Sequence, residues 1–236
     1  MRLDLYLKDL VSSRSRADLM IKKGLVKVNG AVCTKSAYDV KESDLIEYED
    51  IPYSSQGGYK LELAIKNFGI DIKDKICIDI GASNGGFTDC LLSHKAKKVY
   101  AVDVAECALQ DRLINDERVI VKDNLNARYI EFSDIGEYAD VIVIDVSYIS
   151  VKLILNEVKK LLNSGGVIIA LIKPQFETGG AINKSGIIDI KKHPVIIEDI
   201  KSFCLNNNLI LVNLIKYTPI MKKKNIEYLS LIKVVV

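Results

Sequence analysis

Five short apolar runs that alternate with helix-like stretches constrain the fold of this chain more than any other feature. The runs are KICIDI, KVYAVDV, RVIVKD, DVIVIDV and GVIIALIK, and all of them follow residue 57. Several are apolar on both alternations, as expected for parallel strands that are covered on both faces. Because each run is followed by a turn and a helix-compatible stretch, the pattern predicts an α/β domain built around a parallel sheet.

Ionisable side chains stand at the carboxyl ends of these predicted strands. They are Asp79, Asp103, Asp123, Asp145 and Lys173, each after a separate run. In an open parallel sheet these ends lie along one edge, and ligands bind in the crevice beyond it. A single aspartate at such a place is more often a helix cap or a loop carboxylate. Five such groups together predict a binding site.

A glycine-rich turn, CIDIGASNGGF, joins the first run to the helix-like stretch FTDCLLSH. It fits neither of two common phosphate-binding spacings. A Rossmann G-x-G-x-x-G would need glycine where Ser83 stands, and a P-loop would need lysine where Phe87 stands. We therefore expect Gly81, Gly85 and Gly86 to allow close approach of a polar ligand group that is not a phosphate.

The nature of the ligand follows from this arrangement. Asp103 can accept hydrogen bonds from ribose hydroxyls, and Asp123 could serve an adenine amino group. S-adenosylmethionine fits because it has a nucleoside and an amino-acid tail but no phosphate, whereas NAD is disfavoured by the missing second glycine. The candidate cofactor-binding residues are Asp79, Gly81, Ser83, Gly85, Gly86, Phe87, Asp103 and Asp123.

The first fifty residues predict a separate, small α+β unit. Apolar residues within 3–10 and 14–23 recur at helical spacing, and Gly24 stands where the second helix would end. LVKVNGAVCT then alternates around an Asn-Gly turn, which predicts a hairpin, and DLIEYED predicts another strand. Pro, Ser and Gly in residues 51–58 indicate a linker. The predicted domains are therefore 1–50 and 59–236.

Basic residues are concentrated in this first unit, although the formal net charge of the whole chain is only +2. The first 35 residues hold eight Lys or Arg side chains and three Asp side chains. A solvated helix face and a nucleic-acid contact both explain such a cluster. Lys222, Lys223 and Lys224 form a second basic cluster.

Composition argues against several classes of protein. The five cysteines form no C-x-x-C pair and are odd in number, which favours reduced thiols in a cytoplasmic protein over a disulfide framework. Only two histidines are present, so no metal site is expected. The start MRLDLYLKDL is neither a signal peptide nor an anchor, and no run approaches the roughly 18 apolar residues that span a bilayer. A cytoplasmic monomer without membrane contact is expected.

The amino-terminal motifs RLDLYL, SRSRADLMIKKGLVKVNG and DLIEYED resemble the αL-type RNA-binding domain, first described in a ribosomal small-subunit protein and shared by pseudouridine synthases. The resemblance covers roughly residues 1–50. It implies that the basic second helix and the neighbouring strand lie on RNA. The residues that it implies as RNA contacts are Arg2, Arg14, Arg16, Lys22 and Lys23.

Motifs along nearly the whole chain resemble the TlyA family, haemolysin-named proteins that join this domain to an FtsJ-like methyltransferase. They are SSQGGYKLELAI, DIGASNGGFTDCLL, VYAVDV, DVSYIS, LIKPQFETGG and NIEYLSL. The resemblance implies a class I, Rossmann-like S-adenosylmethionine methyltransferase sheet. It also implies 2'-O-methylation of cytidine in ribosomal RNA, with ribosomal RNA or ribosomal subunits as partner.

The FtsJ-like pattern further implies a Lys-Asp-Lys-Glu tetrad of catalytic residues. It falls on Lys60, Asp145, Lys173 and Glu227. Two positions depart from the family's usual residues: Gln56 replaces an arginine before the paired glycines, and Asn84 replaces a threonine in the glycine turn. The first departure could weaken RNA or interdomain contacts, and the second is expected to alter little.

A 2'-hydroxyl is a poor nucleophile at neutral pH, so the enzyme must align it with the methyl group and remove a proton. Lys173 is the candidate base, positioned by Asp145. Because lysine is ordinarily protonated, burial and the second cation Lys60 would have to favour its neutral form. Glu227 reaches the same edge if the preceding run LILVNLIKY is parallel to the sheet. Taken singly, Lys60 could be a solvated helix-start lysine and Glu227 a hairpin-end carboxylate.

Three aromatic residues, Tyr59, Tyr148 and Phe176, are of a type more often found in cores, although one could stack on a flipped-out base. Two other functions remain open beside the methyltransferase. One is a ribosome-binding or assembly factor with an inactive methyltransferase fold, which need not keep all four tetrad groups. The other is a membrane-active haemolysin, for which no amphipathic or spanning stretch is found in the sequence.

Overall fold

The structure is a computed structural model that describes residues 1–11, 14–49, 51, 53–178, 186–219 and 225–235. Part of the predicted linker (Pro52), the two glycines that end LIKPQFETGG and the basic cluster Lys222–Lys224 lie outside the described residues. Within the described part of the chain, no helix is both long enough and apolar enough to cross a membrane.

The amino-terminal unit has the predicted helix, helix and small sheet. Helices α1 (Leu3–Lys8) and α2 (Arg14–Lys22) precede strands β1 (Val26–Val28), β2 (Ala31–Val32) and β3 (Ile46–Tyr48). The antiparallel sheet has the order β2-β1-β3. Asn29 and Gly30 both have positive φ, of 52° and 79°, as the tight β1–β2 hairpin turn requires. The apolar faces of both helices pack on the sheet around Leu3, Leu7 and Met20.

A seven-stranded sheet forms the centre of the second unit, as the apolar runs predict. Its strands are β4 (Ile76–Ile80), β5 (Lys98–Val102), β6 (Val119–Lys122), β7 (Ala139–Ile144), β8 (Leu162–Ile172), β9 (Leu209–Tyr217) and β10 (Glu227–Val234). The order across the sheet is β6-β5-β4-β7-β8-β10-β9. Strands β4 to β8 are parallel, and β10 is antiparallel to both of its neighbours. The predicted α/β fold class is thereby confirmed.

Helices and turns cover both faces of this sheet. They are α3 (Gln56–Phe68), α4 (Gly86–Ser93), α5 (Asp111–Ile114), α6 (Phe132–Ile135), α7 (Lys152–Val158), α8 (Pro174–Glu177) and α9 (His193–Asn206). Successive residues of each strand point to opposite faces, so one strand contributes to two cores. In β7, Ile142 and Ile144 enter one core while Val141 and Val143 enter the other. Burial on both faces explains why these runs are apolar on both alternations.

Strand β9 runs in the direction of the parallel strands, since it and β8 are both antiparallel to β10. The chain therefore reverses between β9 and β10 at the carboxyl edge of the sheet. Glu227, the first residue of β10, starts at this edge and pairs in register with Tyr217 at the end of β9. The run LILVNLIKY is therefore parallel to the sheet, which was the condition for Glu227 to reach this edge.

The segment between the two units is held by buried contacts. Helix α3 begins at Gln56, so the last residues of the predicted linker form its first turn, capped by Ser55. Arg16 of α2 is only 4% exposed, and its guanidinium donates to the carbonyl oxygens of Ile51 and Tyr53, both at 2.7 Å. These two contacts direct the guanidinium of Arg16 at the linker backbone, and its predicted contact with RNA stays a prediction.

The contacts of Arg16 predict a stability effect that its neighbour on the same helix lacks. Arg16→Gln leaves two buried carbonyls without their charged donor, and we expect it to lower the free energy of unfolding by about 2–4 kcal/mol. Arg14 is more than half exposed and shares Asp4 with Arg2, so Arg14→Gln should cost about 1 kcal/mol or less. Urea unfolding of both variants measures this, and equal losses would contradict the assignment.

Asp79 lies inside β4 with its side chain fully buried. Thr88 of α4 donates to one carboxylate oxygen at 2.7 Å, and the other oxygen has no partner among the described residues. Burial raises the pKa of Asp79 to about 7, aided by Asp145 and Asp103, while the hydrogen bonds from Thr88 oppose the shift. Asp79 therefore lies buried beneath the glycine turn, and its predicted contact with a cofactor stays a prediction.

This raised pKa predicts a pH dependence of stability. The folded state binds the Asp79 proton more tightly than the unfolded state does, so the stabilisation is complete below about pH 4. It is lost as the pH rises through about 7, by a few kcal/mol at most. Asp79→Asn cannot titrate, and the difference in unfolding free energy between variant and wild type should change across this window. If the unfolding free energies of wild type and Asp79→Asn instead changed with pH in parallel, Asp79 would have an ordinary pKa.

Candidate active site

Two adjoining clefts open at the carboxyl edge of the seven-stranded sheet. The first has a volume of ≈ 430 Å³ and lies beyond the ends of β4, β5 and β7. The second, of ≈ 170 Å³, lies between the glycine turn, the start of α3 and Lys173. Gly81, Ser83, Asp145 and Ser147 line both clefts. The two clefts therefore form one site with a larger and a smaller chamber.

Two ion pairs hold the four residues of the implied tetrad. Lys60 Nζ lies 2.6 Å from Glu227 Oε2, and Lys173 Nζ lies 2.5 Å from Asp145 Oδ1. All four side chains are largely buried. The groups come from the first turn of α3, the ends of β7 and β8, and the start of β10. The sheet edge thus brings together residues that are up to 167 positions apart in the sequence.

The electrostatic environment keeps Lys60 positively charged. Burial lowers the pKa of Lys60, but the carboxylates of Asp145 and Glu227 together outweigh burial, so the pKa is raised overall. The ring of Tyr217 lies 5.4 Å from the Lys60 ammonium and adds a cation–π contact. Because Asp145 acts on Lys60 as well as on Lys173, the two ion pairs form a single alternating charge cluster.

Ser147 is a member of the site that the sequence analysis missed. Its hydroxyl accepts a hydrogen bond from Lys173 Nζ at 2.9 Å, and it lines both clefts. The signal that could have found it is its position in DVSYIS, two residues after Asp145. The Lys173 ammonium is therefore oriented by two groups from the same loop.

The glycines of the turn make room for protein groups as well as for a ligand. A Cβ on Gly81 would lie 2.5 Å from the carbonyl oxygen of Asp145, and one on Gly85 would lie 2.6 Å from both Leu109 and Leu113. A Cβ on Gly86 would meet the Ser55 hydroxyl at 2.1 Å. These glycines are needed for close approach by groups of the chain itself, and the predicted approach of a ligand group stays a prediction. Gly81 and Gly86 also line the clefts, with Ser83 and the buried Phe87.

Asp103 and Asp123 have different environments. Asp103 lines the larger chamber, where its carboxylate accepts from the backbone N–H groups of Ser83 at 2.9 Å and Ala105 at 3.1 Å. Asp123 accepts from the N–H of Cys107 at 2.6 Å and is not among the residues that line either chamber. Asp123 thus holds the loop after β5 through this contact, and its predicted role at an adenine amino group stays a prediction.

A further part of the wall of the larger chamber was also missed by the sequence analysis. Val104, Leu125 and Ala127 give it apolar surface, and Asn126 and Arg128 add polar groups. These residues follow β5 and β6, so their place after predicted strands was the available signal. The larger chamber thus combines one carboxylate with apolar walls, a combination that suits the sugar and the base of a nucleoside.

An exposed aromatic pair stands beside the tetrad. The side chain of Tyr148 is 91% exposed and its backbone has a φ of 66°, which is unfavourable for a bulky residue. Its ring lies 5.2 Å from that of Phe176, three residues after Lys173. The expectation of a core position is wrong for Tyr148. Strained, exposed residues of this kind are concentrated at functional sites.

The remaining predicted RNA contacts lie on the amino-terminal unit. Arg2 and Arg14 are exposed, and both bind the buried carboxylate of Asp4. Lys22 is exposed and pairs with Asp18. Lys23 is directed toward the second unit, with its ammonium 3.1 Å from the ring centroid of Tyr59, and burial lowers the pKa of Lys23. Arg2, Arg14 and Lys22 therefore stay predictions as RNA contacts, whereas Lys23 contacts α3.

Comparison with known proteins matches both units of the chain. The profile of the FtsJ-like methyltransferases matches residues 53–230, and that of the S4 domain matches residues 1–46. Hemolysin A of Brachyspira hyodysenteriae is 46% identical over 205 residues, which cover 83% of this chain and 85% of the relative.

Two further proteins resemble the chain over most of its length. The 16S/23S rRNA (cytidine-2'-O)-methyltransferase TlyA of Mycobacterium tuberculosis is 34% identical over 189 residues, covering 78% of this chain and 70% of the relative. A solved structure of a hemolysin-named protein from Streptococcus thermophilus is 34% identical with a TM-score of 0.78. It covers 100% of this chain and 88% of that chain. The resemblance inferred from the motifs is confirmed: the chain belongs to the TlyA family, in which an S4 domain precedes an FtsJ-like methyltransferase domain.

Proposed function

We propose that this protein transfers a methyl group from S-adenosylmethionine to a ribose 2'-hydroxyl of ribosomal RNA, with cytidine as the expected nucleotide. The observation that carries the proposal is the convergence of Lys60, Asp145, Lys173 and Glu227 through two ion pairs at the carboxyl edge of the sheet, where Asp145 and Lys173 line the smaller chamber. The M. tuberculosis relative is named for this reaction. Membership of the same family extends the expectation to the present chain.

The larger chamber suits the nucleoside part of S-adenosylmethionine. Its volume of ≈ 430 Å³ is in the range of small-molecule sites. Each oxygen of Asp103 accepts one backbone N–H and keeps acceptor capacity for a ribose hydroxyl. Val104, Leu125 and Ala127 would cover the base. Ser83, Asn84 and Gly86 of the glycine turn line the smaller chamber, where the amino-acid tail would lie.

When bound, S-adenosylmethionine supplies an electrophilic methyl group. The side chains of the tetrad must then remove the proton of the 2'-hydroxyl. We assign the role of general base to Lys173, whose Nζ would accept this proton. Asp145 and Ser147 fix the position of that nitrogen. Nζ must first lose a proton of its own. The positive charge of Lys60 also acts on Asp145, and it reduces the electrostatic attraction between Asp145 and the Lys173 ammonium.

Glu227 positions Lys60 in this scheme. Their 2.6 Å contact connects the first turn of α3 to the start of β10. With Tyr217 on its other side, the Lys60 ammonium cannot be displaced without breaking a charge-assisted hydrogen bond. Lys60 therefore contributes a fixed positive charge beside the reacting groups.

The amino-terminal unit supplies the contact with RNA in this proposal. Residues 1–50 would act as the RNA-binding domain, residues 51–58 as the connection and residues 59–236 as the catalytic domain. Arg2, Arg14 and Lys22 are exposed on the first of these units. Contacts between such side chains and phosphates would make subunit binding strongly dependent on salt. The five cysteines are free thiols, in keeping with a cytoplasmic protein, and we propose that it acts as a monomer.

Tyr148 is proposed to stack on a base of the substrate next to the reacting ribose. Tyr148 directly follows Val146 and Ser147 in the chain. Val146 lines the larger chamber, and Ser147 lines both chambers. Phe176 supports the ring from one side, and its other face is available to a ligand. Stacking on an aromatic side chain is a common way to hold an unpaired base. This assigns a function to an otherwise unfavourable backbone conformation.

The function is tested by transfer of a labelled methyl group from S-adenosylmethionine to isolated ribosomal subunits, followed by mapping of the label. Wild type should label a ribose. Lys173→Ala should lower the rate by about 100-fold or more, because general-base catalysis is lost, while cofactor binding measured by calorimetry is kept. Lys160→Ala, which removes a surface lysine paired with Glu157, is the matched control.

Other outcomes of this experiment separate the alternatives. Unchanged turnover by Lys173→Ala would remove Lys173 from the base role. A wild type that binds subunits but neither binds cofactor nor labels any subunit would favour the inactive binding factor. Lysis of liposomes by purified protein would favour the membrane-active function.

The role of Tyr148 is tested with Tyr148→Gly and Tyr148→Phe. Glycine adopts positive φ without strain, so Tyr148→Gly removes the ring and leaves the backbone conformation available. We expect kcat/KM for the subunit to fall about 10-fold or more in Tyr148→Gly and to stay within about 3-fold in Tyr148→Phe, which keeps the ring. Cofactor affinity should not change in either variant. Equal activity of the two variants would exclude stacking by Tyr148.

A further inference from the structure

We propose that Glu177 is a positioning residue, whose carboxylate holds the loop that carries Asp145 and Ser147 against the segment that carries Lys173. The proposal rests on the proposed methyl transfer and deepens it, because it concerns the geometry of the same site. It explains why the motifs DVSYIS and LIKPQFE meet in the structure. Glu177 lines neither chamber, so any effect on the reaction must pass through other residues.

The contacts of Glu177 bridge the two segments. One carboxylate oxygen accepts from the Ser150 hydroxyl at 2.5 Å, and the other accepts from the backbone N–H of Val151 at 2.9 Å. Val151 is buried and directly precedes α7, and Ser150 also accepts from the N–H of Lys152 at 3.3 Å. The carboxylate of α8 therefore fixes the end of the β7–α7 loop at two points.

Three cross-links connect the same two segments in parallel. Lys173 binds both Asp145 and Ser147, the ring of Tyr148 lies against that of Phe176, and Ser150 with Val151 binds Glu177. The first link is made by groups of the reacting site, and the second is between partly or fully exposed rings. The Glu177 link has two directed hydrogen bonds to an ionised group, the kind of contact that fixes geometry best.

The surroundings of Glu177 show that its burial opposes ionisation. Burial raises the pKa of Glu177, while the hydrogen bonds from Ser150 and Val151 partly offset this effect. Lys152 and Asp199 are the charged groups that act on it from α7 and α9, and they pair with each other at 2.5 Å. No lysine or arginine pairs with Glu177 in the described part of the chain. A half-buried carboxylate that has two hydrogen-bond donors and no cationic partner among the described residues indicates a requirement for its two acceptor oxygens.

The strained backbone at Tyr148 supports this requirement. A φ of 66° at a non-glycine residue persists only where the surrounding structure enforces it. Between Asp145 and Val151 the chain forms no helix or strand, so the conformation depends on tertiary contacts. Release of Ser150 and Val151 would let the loop relax and would move Ser147 and Asp145 relative to Lys173. Displacements of about 1 Å at reacting groups can lower rates about 100-fold.

The test compares Glu177→Ala, Glu177→Gln and Ser150→Ala in methyl transfer to ribosomal subunits. Glu177→Ala removes both contacts, and we expect kcat to fall about 10- to 100-fold, a larger change than in the dissociation constant of either the cofactor or the subunit. Glutamine can still accept from Val151 and donate to Ser150, so Glu177→Gln should restore kcat to within about 3-fold. Ser150→Ala removes one contact and should give an intermediate loss.

Matched measurements keep the outcomes distinct. Glu157→Ala, which removes a surface carboxylate of α7 paired with Lys160, should leave kcat unchanged. If Glu177→Ala does not fold, Glu177→Gln and Ser150→Ala carry the test. Unchanged kcat in Glu177→Ala, or a loss that Glu177→Gln does not repair, would overturn the positioning role. An equal rise in both dissociation constants would show a general structural role. Absence of methyl transfer by wild type would instead refute the proposed function.

Discussion

The site depends on one strand that runs against the others. Strand β10 lies between β8 and β9 and is antiparallel to both. A residue at the start of an antiparallel strand reaches the same edge as residues at the ends of parallel strands. Glu227 thereby joins Asp145 and Lys173, and Lys60 of α3 completes the cluster. A fully parallel sheet would place the start of this strand at the opposite edge and would separate Glu227 from its partner.

Sequence patterns were sufficient to predict the parallel strands and the edge on which the site lies, whereas the members of the tetrad were implied by the family resemblance. Strands buried on both faces appear in the sequence as continuous apolar runs. Because ligands bind beyond the carboxyl ends of parallel strands, the ends of these runs indicate where the site lies. The patterns did not predict which charged residues are buried. Arg16 has the same sequence environment as Arg14, yet only Arg16 faces the linker carbonyls. That difference depends on how the two units pack, which has no local signal.

The surroundings of single site residues could not be predicted for related reasons. Asp79 and Asp123 stand at strand ends like Asp103, but Asp79 is directed under the turn toward Thr88 and Asp123 toward the N–H of Cys107. Carboxylates follow strands both as ligand groups and as caps for backbone donors, and only tertiary geometry distinguishes the two uses. The glycines likewise have two reasons to be present. Gly85 and Gly86 accommodate Leu109, Leu113 and Ser55, a requirement that resembles ligand approach when only the sequence is known.

The two lysines of the tetrad differ from its two carboxylates in how they are held. Asp145 follows β7 and Glu227 begins β10, so the hydrogen bonds of the sheet fix their backbone. Lys60 and Lys173 have long side chains with several rotatable bonds, and each takes its position from the carboxylate that it meets. The two carboxylates are thus held at the ends of rigid strands, and each carboxylate positions the flexible lysine side chain that pairs with it. The geometry of the reacting lysine is then limited by how well the loop around Asp145 is held, since Ser147 and Tyr148 lie outside the sheet. Contacts that secure this loop from a distance should therefore affect turnover, because Asp145 and Ser147 of the loop line both chambers and contact Lys173.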